Sequence, residues 1–151
     1  MFGKINPQVI TLNCNLGNIY SELGKYNKAL FFYETALEID SKINQVKNEI
    51  TARIKNFIGD TYKNSGDFNK AILHYSKSLE IYTKIGLKEN INVAVTYSKI
   101  GFVYDEKEEE EKAMHYFKKA LRIDRMLALE YFEKALTMYI NIYGENHSDI
   151  I

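Results

Sequence analysis

Three histidines, one cysteine and a Gly-Lys step are the residues from which this 151-residue chain could build chemistry. A phosphate-cradling loop needs a glycine five residues before its Gly-Lys and a hydroxyl residue after it. Around Gly24-Lys25 the first place holds Ile19 and the second Tyr26. His74, His115 and His147 are separated and lack metal-ligand spacing. Cys14 has no histidine or basic cluster beside it to lower its pKa, so it reads as a buried or groove thiol. Asn146-His147-Ser148 fits a glycosylation acceptor, which matters only in a secreted chain. We expect no catalytic residue, no cofactor and no metal site.

The bulk chemistry narrows the partners. Twenty basic residues balance twenty acidic ones, and the only arginines are Arg53, Arg122 and Arg125. A phosphate-reading surface favours the bidentate guanidinium, so nucleic acid is not an expected partner. No apolar run reaches the roughly 18 residues that cross a bilayer, so no membrane partner is expected either. The residues after Met1 carry no basic flank followed by a long apolar stretch, and a lone cysteine suits a reducing compartment. A cytoplasmic protein is the plain expectation.

The elements that must position any site announce themselves by repetition. Leu16-Gly17-Asn18-Ile19-Tyr20 returns as Ile58-Gly59-Asp60-Thr61-Tyr62 and as Ile100-Gly101-Phe102-Val103-Tyr104. The interval is 59 − 17 = 42 and 101 − 59 = 42 residues. Each phrase sits in an apolar stripe that falls mainly at three- and four-residue steps, as Ile10, Leu12, Leu16, Ile19, Tyr20 and Leu23 do in the first unit. Asn6-Pro7 is a helix start, and Gly24 ends that first helix. A second stripe follows in every unit: Ala29, Tyr33, Ala36; then Ala71, Tyr75, Leu79; then Ala113, Phe117, Ala120. Pairs of helices repeated at a fixed period predict an all-α solenoid, because one pair cannot bury its own apolar face. Gly17, Gly59 and Gly101 are expected to let the second helix approach closely, with Ala29, Ala71 and Ala113 as the matching small residues.

These residues resemble the tetratricopeptide repeat family, whose pattern is an apolar residue and Gly, an aromatic, a turn, then Ala, an aromatic and Ala. Unit one reads Leu16-Gly17, Tyr20, Gly24, Ala29, Tyr33, Ala36, and unit two differs by Ser78 in the last place. Asn13, Lys55 and Tyr97 stand where the family usually has tryptophan, and its inter-unit proline is missing. The period of 42 rather than about 34 is similar to the repeats of kinesin light chains. The extra residues are expected to lengthen both helices and the connector, as at residues 81–87. The resemblance implies a right-handed α-solenoid of three hairpins plus an extended or extra C-terminal helix. The repeats are expected at about 7–45, 48–86 and 89–125, with the second helix of a partial fourth at 126–144 and a connector at 145–151.

The family's first helices line a concave groove that takes peptides. By register the resemblance assigns Thr11, Cys14, Asn18 and Ser21 to that face in unit one. It assigns Arg53, Asn56, Asp60 and Lys63 in unit two, and Val95, Ser98, Phe102 and Asp105 in unit three. Asn18 and Asn56 offer amides to a ligand backbone. Phe102 is the outlier, an aromatic on a face that should be wet, and reads either as a ligand anchor or as a contact of the C-terminal helix. The carboxylate-gripping subset of the family needs Asn where Asp60 stands, together with a fuller basic cluster, so it is not a fit.

The pattern breaks twice. Glu108 stands where Gly24 and Gly66 make the turn, which predicts a looser or shifted turn in unit three. Tyr116-Phe117-Lys118-Lys119-Ala120-Leu121 is echoed by Tyr131-Phe132-Glu133-Lys134-Ala135-Leu136 only 15 residues later. No Gly or Pro separates the copies, so either one helix spans about 109–143 or the chain kinks near 124–126. A fourth unit thus keeps its second helix and lacks its first, and we expect it to act as a C-terminal cap. Two functions are in view: a non-enzymatic scaffold or adaptor holding a protein or peptide partner, and a piece of a larger repeat protein that spaces or self-associates through its C-terminal helix.

Overall fold

A computed structural model describes residues 6–147. Six helices follow one another: α1 (Gln8–Glu22), α2 (Tyr26–Asn44), α3 (Glu49–Ser65), α4 (Phe68–Lys84), α5 (Ile91–Glu106) and α6 (Glu110–His147). They pair as hairpins α1–α2, α3–α4 and α5–α6, and each hairpin packs on the next through α2–α3 and α4–α5. Described residues form no strand. The architecture is the right-handed all-α solenoid expected.

Caps set the helix starts. Asn6 Oδ1 accepts the Gln8 backbone N–H at 2.9 Å, with Pro7 already in helical conformation. Asn48 caps α3 in a capping box with Thr51, Asp67 caps α4 and Asn90 caps α5. Within the 81–87 stretch, helix α4 runs through the buried Ile81 and Tyr82 to Lys84, and the connector begins after it.

The glycines do permit close approach, but the alanines are not what they receive. A Cβ on Gly17 would lie 2.5 Å from the Tyr33 ring, one on Gly59 2.5 Å from the Tyr75 ring, and one on Gly101 2.7 Å from the Phe117 ring. The rings lie four residues beyond the alanines, one turn along the same face. Ala29 and Ala71 are fully buried elsewhere in the seam.

The turn of unit three is not looser, against expectation. Glu108 takes φ +60° where Gly24 and Gly66 take +73° and +85°. All three turns close with the same two bonds: Gly24 N–H to Ser21 O and Lys25 N–H to Tyr20 O in unit one, and Glu108 N–H to Asp105 O and Glu109 N–H to Tyr104 O in unit three. The left-handed strain of a non-glycine residue is absorbed locally, because two backbone bonds fix the loop whatever the side chain.

The two echoed segments lie on one uninterrupted helix, α6, of 38 residues. Ala113, Ala120 and Ile123 are buried in the body, and Leu127 packs against its core. The helix persists through His147, and the remainder of the expected connector, from Ser148 onward, lies outside the described residues. The first residues, including the Met1 region read for a leader, lie outside them as well.

Candidate functional site

The first helices α1, α3 and α5 sit side by side, and the register that aligns their faces also aligns their neighbours. Position 18/60/102 of the repeat lies against the ring at 33/75/117. The Tyr33 hydroxyl donates to Asn18 Oδ1 at 2.6 Å, and the Tyr75 hydroxyl donates to Asp60 Oδ1 at 2.6 Å. In unit three both partners lose their polarity together: Phe102 meets Phe117 edge-on with centroids 5.0 Å apart. That paired replacement accounts for the outlying aromatic, which still leaves Phe102 56 % exposed. Burial is the first cause that raises both tyrosines, Tyr33 to about 12; at Tyr75 the Asp60 carboxylate adds to it.

Contacts between neighbouring first helices claim several of the expected groove residues. Ser21 and Thr61, both buried, hydrogen-bond through their hydroxyls at 3.1 Å. Asn56 Nδ2 donates to Thr96 Oγ1 at 2.8 Å, and the Thr96 hydroxyl donates to Asn92 O at 2.7 Å. Asp60 also accepts Lys99 Nζ at 2.6 Å, with both side chains largely covered. Ser21 and Asn56 are therefore part of the stacking seam, and Asn18 and Asp60 have their acceptors engaged within the protein. Lys99, Thr61 and Thr96 were not singled out by the sequence reading. Lys99 shares its repeat position with Phe57, which stacks on Tyr33 at 5.8 Å, so the 42-residue register was the signal available.

At one repeat position the two unit junctions solve burial differently. Asn56 and Thr96 are a hydrogen-bonded pair between α3 and α5; the equivalent residues between α1 and α3, Cys14 and Ile54, share an apolar cluster. Thr96→Val is expected to destabilise the chain by about 1–3 kcal/mol, since it leaves the Asn56 amide buried without its acceptor. The transplant Asn56→Cys/Thr96→Ile should recover most of that loss. Urea unfolding of the two variants checks this, and a double variant no more stable than the single one would refute the equivalence.

Three expected residues do converge. Thr11, Cys14 and Arg53 line a cleft of about 330 Å³ between α1 and α3, together with Asn15, Ile50 and Phe57. Burial raises the Cys14 thiol first, Arg53 lowers it and Asp40 raises it again, so this thiol is held protonated rather than activated. The cleft has an apolar floor, one guanidinium and the polar side chains of Gln8, Thr11 and Asn15, which suits a side chain or short segment of a protein better than bond making. Farther along, Val95, Phe102 and Asp105 are exposed on α5, while Lys63 and Ser98 are half-buried.

A second cavity, of about 480 Å³, went unread in the sequence. It lies beneath the 45–47 loop, where Lys47, Lys55, Lys77 and Lys84 gather beside Asp40 and Glu80. Lys84 pairs with Glu80 at 2.9 Å. Burial, then Lys77 and Lys47, lower the Lys55 pKa. Burial and the neighbouring Lys55, Lys77 and Lys70 hold His74 down at about 4. Among the described residues no group of three or more His, Cys, Asp or Glu could hold a metal ion, and no helix is long and apolar enough to cross a membrane.

Comparison with known proteins agrees with this geometry. Three family profiles, all described as tetratricopeptide repeat, match residues 12–43, 50–126 and 128–149. Among solved structures the chain is similar to the TPR domain of Arabidopsis FLU, at 18 % identity and a TM-score of 0.67 over 79 % of this chain and 97 % of that one. It is similar to BtubC (BKLC) from P. vanneervenii at 26 % identity and TM-score 0.69, over 80 % of this chain and 48 % of that one. A putative kinesin light chain with TPR-like repeats from Podosopora anserina aligns at 15 % identity and TM-score 0.65, over 80 % and 57 % of the two chains. No curated protein sequence matches.

Proposed function

The chain belongs to the tetratricopeptide repeat family, and on that premise we propose that it is a non-enzymatic scaffold or adaptor holding a protein partner against its first helices. Proteins of this fold generally mediate protein–protein interaction. The observation that carries the reading is the α1–α3 cleft lined by Thr11, Cys14 and Arg53. With it goes the exposed run Val95, Phe102 and Asp105 on α5. An apolar cleft that presents a guanidinium, with an exposed aromatic farther along the row of first helices, suits a binding hot spot. Asp60 is committed to Tyr75 and Lys99, which argues against a grip on an acidic carboxylate tail. The balanced charge argues against nucleic acid, and we place the protein in the cytoplasm on its lone buried thiol.

The double substitution Arg53→Glu/Phe102→Ala tests the reading, since neither side chain is buried. Partner capture by the full chain should fall at least tenfold while far-UV helicity and thermal midpoint stay near wild type. Unchanged capture would sink the groove reading. A second reading, self-association through the C-terminal helix, is favoured by one separate observation. Beyond Leu127, α6 exposes Leu129, Phe132, Leu136, Met138, Tyr139, Ile140 and Tyr143.

A further inference from the structure

Where α6 leaves the body of the array, a second apolar row opens on its far side. Inside the body it packs through Ala113, Ala120, Ile123 and Leu127, one helical row. Continued outward, that row carries Tyr131, Lys134 and Met138, the last 63 % exposed. The opposite row starts as His115, Lys118, Arg122 and Arg125, then becomes Leu129, Phe132, Leu136, Tyr139 and Tyr143. At about 100° per residue the two apolar rows are centred roughly 160° apart. The five outer side chains are each 47–66 % exposed. A row facing away from a protein's own core is ordinarily polar. This one reads as an interface approached from outside.

Its spacing indicates what approaches. The steps 129, 132, 136, 139, 143 alternate three and four, the period of a two-helix seam. A seam built on a twofold axis must map onto its own spacing read backwards and be complementary to itself. This seam does. We propose that two copies of the chain pair antiparallel through residues 125–143, centred on residue 134. The inference rests on the self-association reading above and adds the orientation and register.

In that register Leu129 meets Tyr139 of the second copy, and Phe132 meets its Leu136. Every central layer joins one aliphatic side chain to one ring. Tyr143 lies over Arg125 of the second copy as a cation–π pair. Met126, 40 % exposed, meets Ile140. Parallel pairing would instead set Phe132 on Phe132 and Arg125 on Arg125, mismatching volumes and opposing like charges. The exposed apolar side chains of this stretch amount to on the order of 700 Å² per copy, near the ~800 Å² per partner of a stable interface. The zero net charge of the chain adds no long-range repulsion. The antiparallel register leaves one like-charge contact, Glu133 against Glu133 across the axis.

Sedimentation equilibrium of the full 151-residue chain between about 1 and 300 µM provides the test, with circular dichroism alongside. We expect a monomer–dimer equilibrium that Leu136→Glu abolishes without loss of helicity or thermal midpoint, because Leu136 lies beyond the body. Glu133→Gln should tighten the dimer about threefold by removing the one like-charge contact; in a parallel pair Glu133 would face Ala128 and the change would do nothing. A chain monomeric throughout that range, or a dimer that survives Leu136→Glu, overturns the self-association reading and this inference with it. A dimer broken by Leu136→Glu but indifferent to Glu133→Gln overturns the antiparallel register alone.

Discussion

Gly59→Ala should destabilise the protein, although helix propensity alone predicts the opposite. Replacing an interior helical glycine by alanine ordinarily gains about 1 kcal/mol. Here the added Cβ would stand 2.5 and 2.6 Å from Cε1 and Cδ1 of Tyr75, closer than carbon atoms can approach. The ring has nowhere to retreat. Tyr75 is fully buried among Ala71, Ile100 and Val103, and its hydroxyl is tied to Asp60. Overpacking of this kind costs about 1–3 kcal/mol, more for the bulkier valine. We therefore expect Gly59→Ala to be less stable than wild type in urea, and Gly59→Val to lose about 3 kcal/mol or more. Tyr75→Leu should relieve part of the Gly59→Ala loss, because a smaller side chain vacates the ring's place. A Gly59→Ala variant as stable as wild type, or more so, would show that the α3–α4 seam is looser than the ring-on-glycine contact implies.

Asp40→Ala is the second large effect, expected at about 3 kcal/mol. Asp40 ends the inner face of α2 and is 3 % exposed. Its carboxylate accepts Asn44 Nδ2 at 2.6 Å, Asn48 Nδ2 at 3.2 Å and the Thr51 hydroxyl at 2.7 Å. Asn48 and Thr51 form the capping box of α3, so one side chain fixes the end of one hairpin to the start of the next. Truncation leaves the buried Thr51 hydroxyl without its acceptor. It also takes one acceptor from the half-buried Asn48 and one from the exposed Asn44, and loosens the cap. Hydrogen bonds to a charged group contribute about 1.5–3 kcal/mol each, and bonds sharing one carboxylate are not additive. Asp40→Asn should lose less than Asp40→Ala, since it keeps one acceptor oxygen. Equal losses would mean that the charge itself, rather than the acceptor geometry, holds the junction. Urea unfolding followed by far-UV circular dichroism measures both.

The two variants mark different depths of legibility. The glycines stood out because they recur every 42 residues inside helices, where glycine is otherwise unfavourable. Their partners did not, since the nearest small residue in the pattern was an alanine and the ring in contact lies a turn farther on. Asp40 left no mark in the periodicity: unit two has Tyr82 in its place, also fully buried. Glu108 misled for a related reason. Residue preference alone suggested a changed turn, whereas backbone bonds to Tyr104 and Asp105 keep the turn and tolerate the side chain.

The candidate groove shows the same division. Register alone placed Asn18 and Asp60 at one repeat position, and Cys14 and Asn56 at another. Tyr33 and Tyr75 of the same hairpins hold Asn18 and Asp60. Across the junctions the outcome depends on a residue roughly 40 positions away, on the next first helix. Asn56 finds Thr96, Asp60 finds Lys99, and Cys14 shares an apolar cluster with Ile54. By itself the sequence determined the helices, their pairing into three hairpins and the fold, because apolar steps of three and four residues repeated at 42 can be satisfied only by stacking hairpins. Tertiary structure alone decided which polar residues are spent in the seams and which remain to meet a partner. It also decided that the orphaned second helix continues as one rod with its apolar row turned outward. Those outcomes depend on distances between helices, and a linear period carries no information about distance.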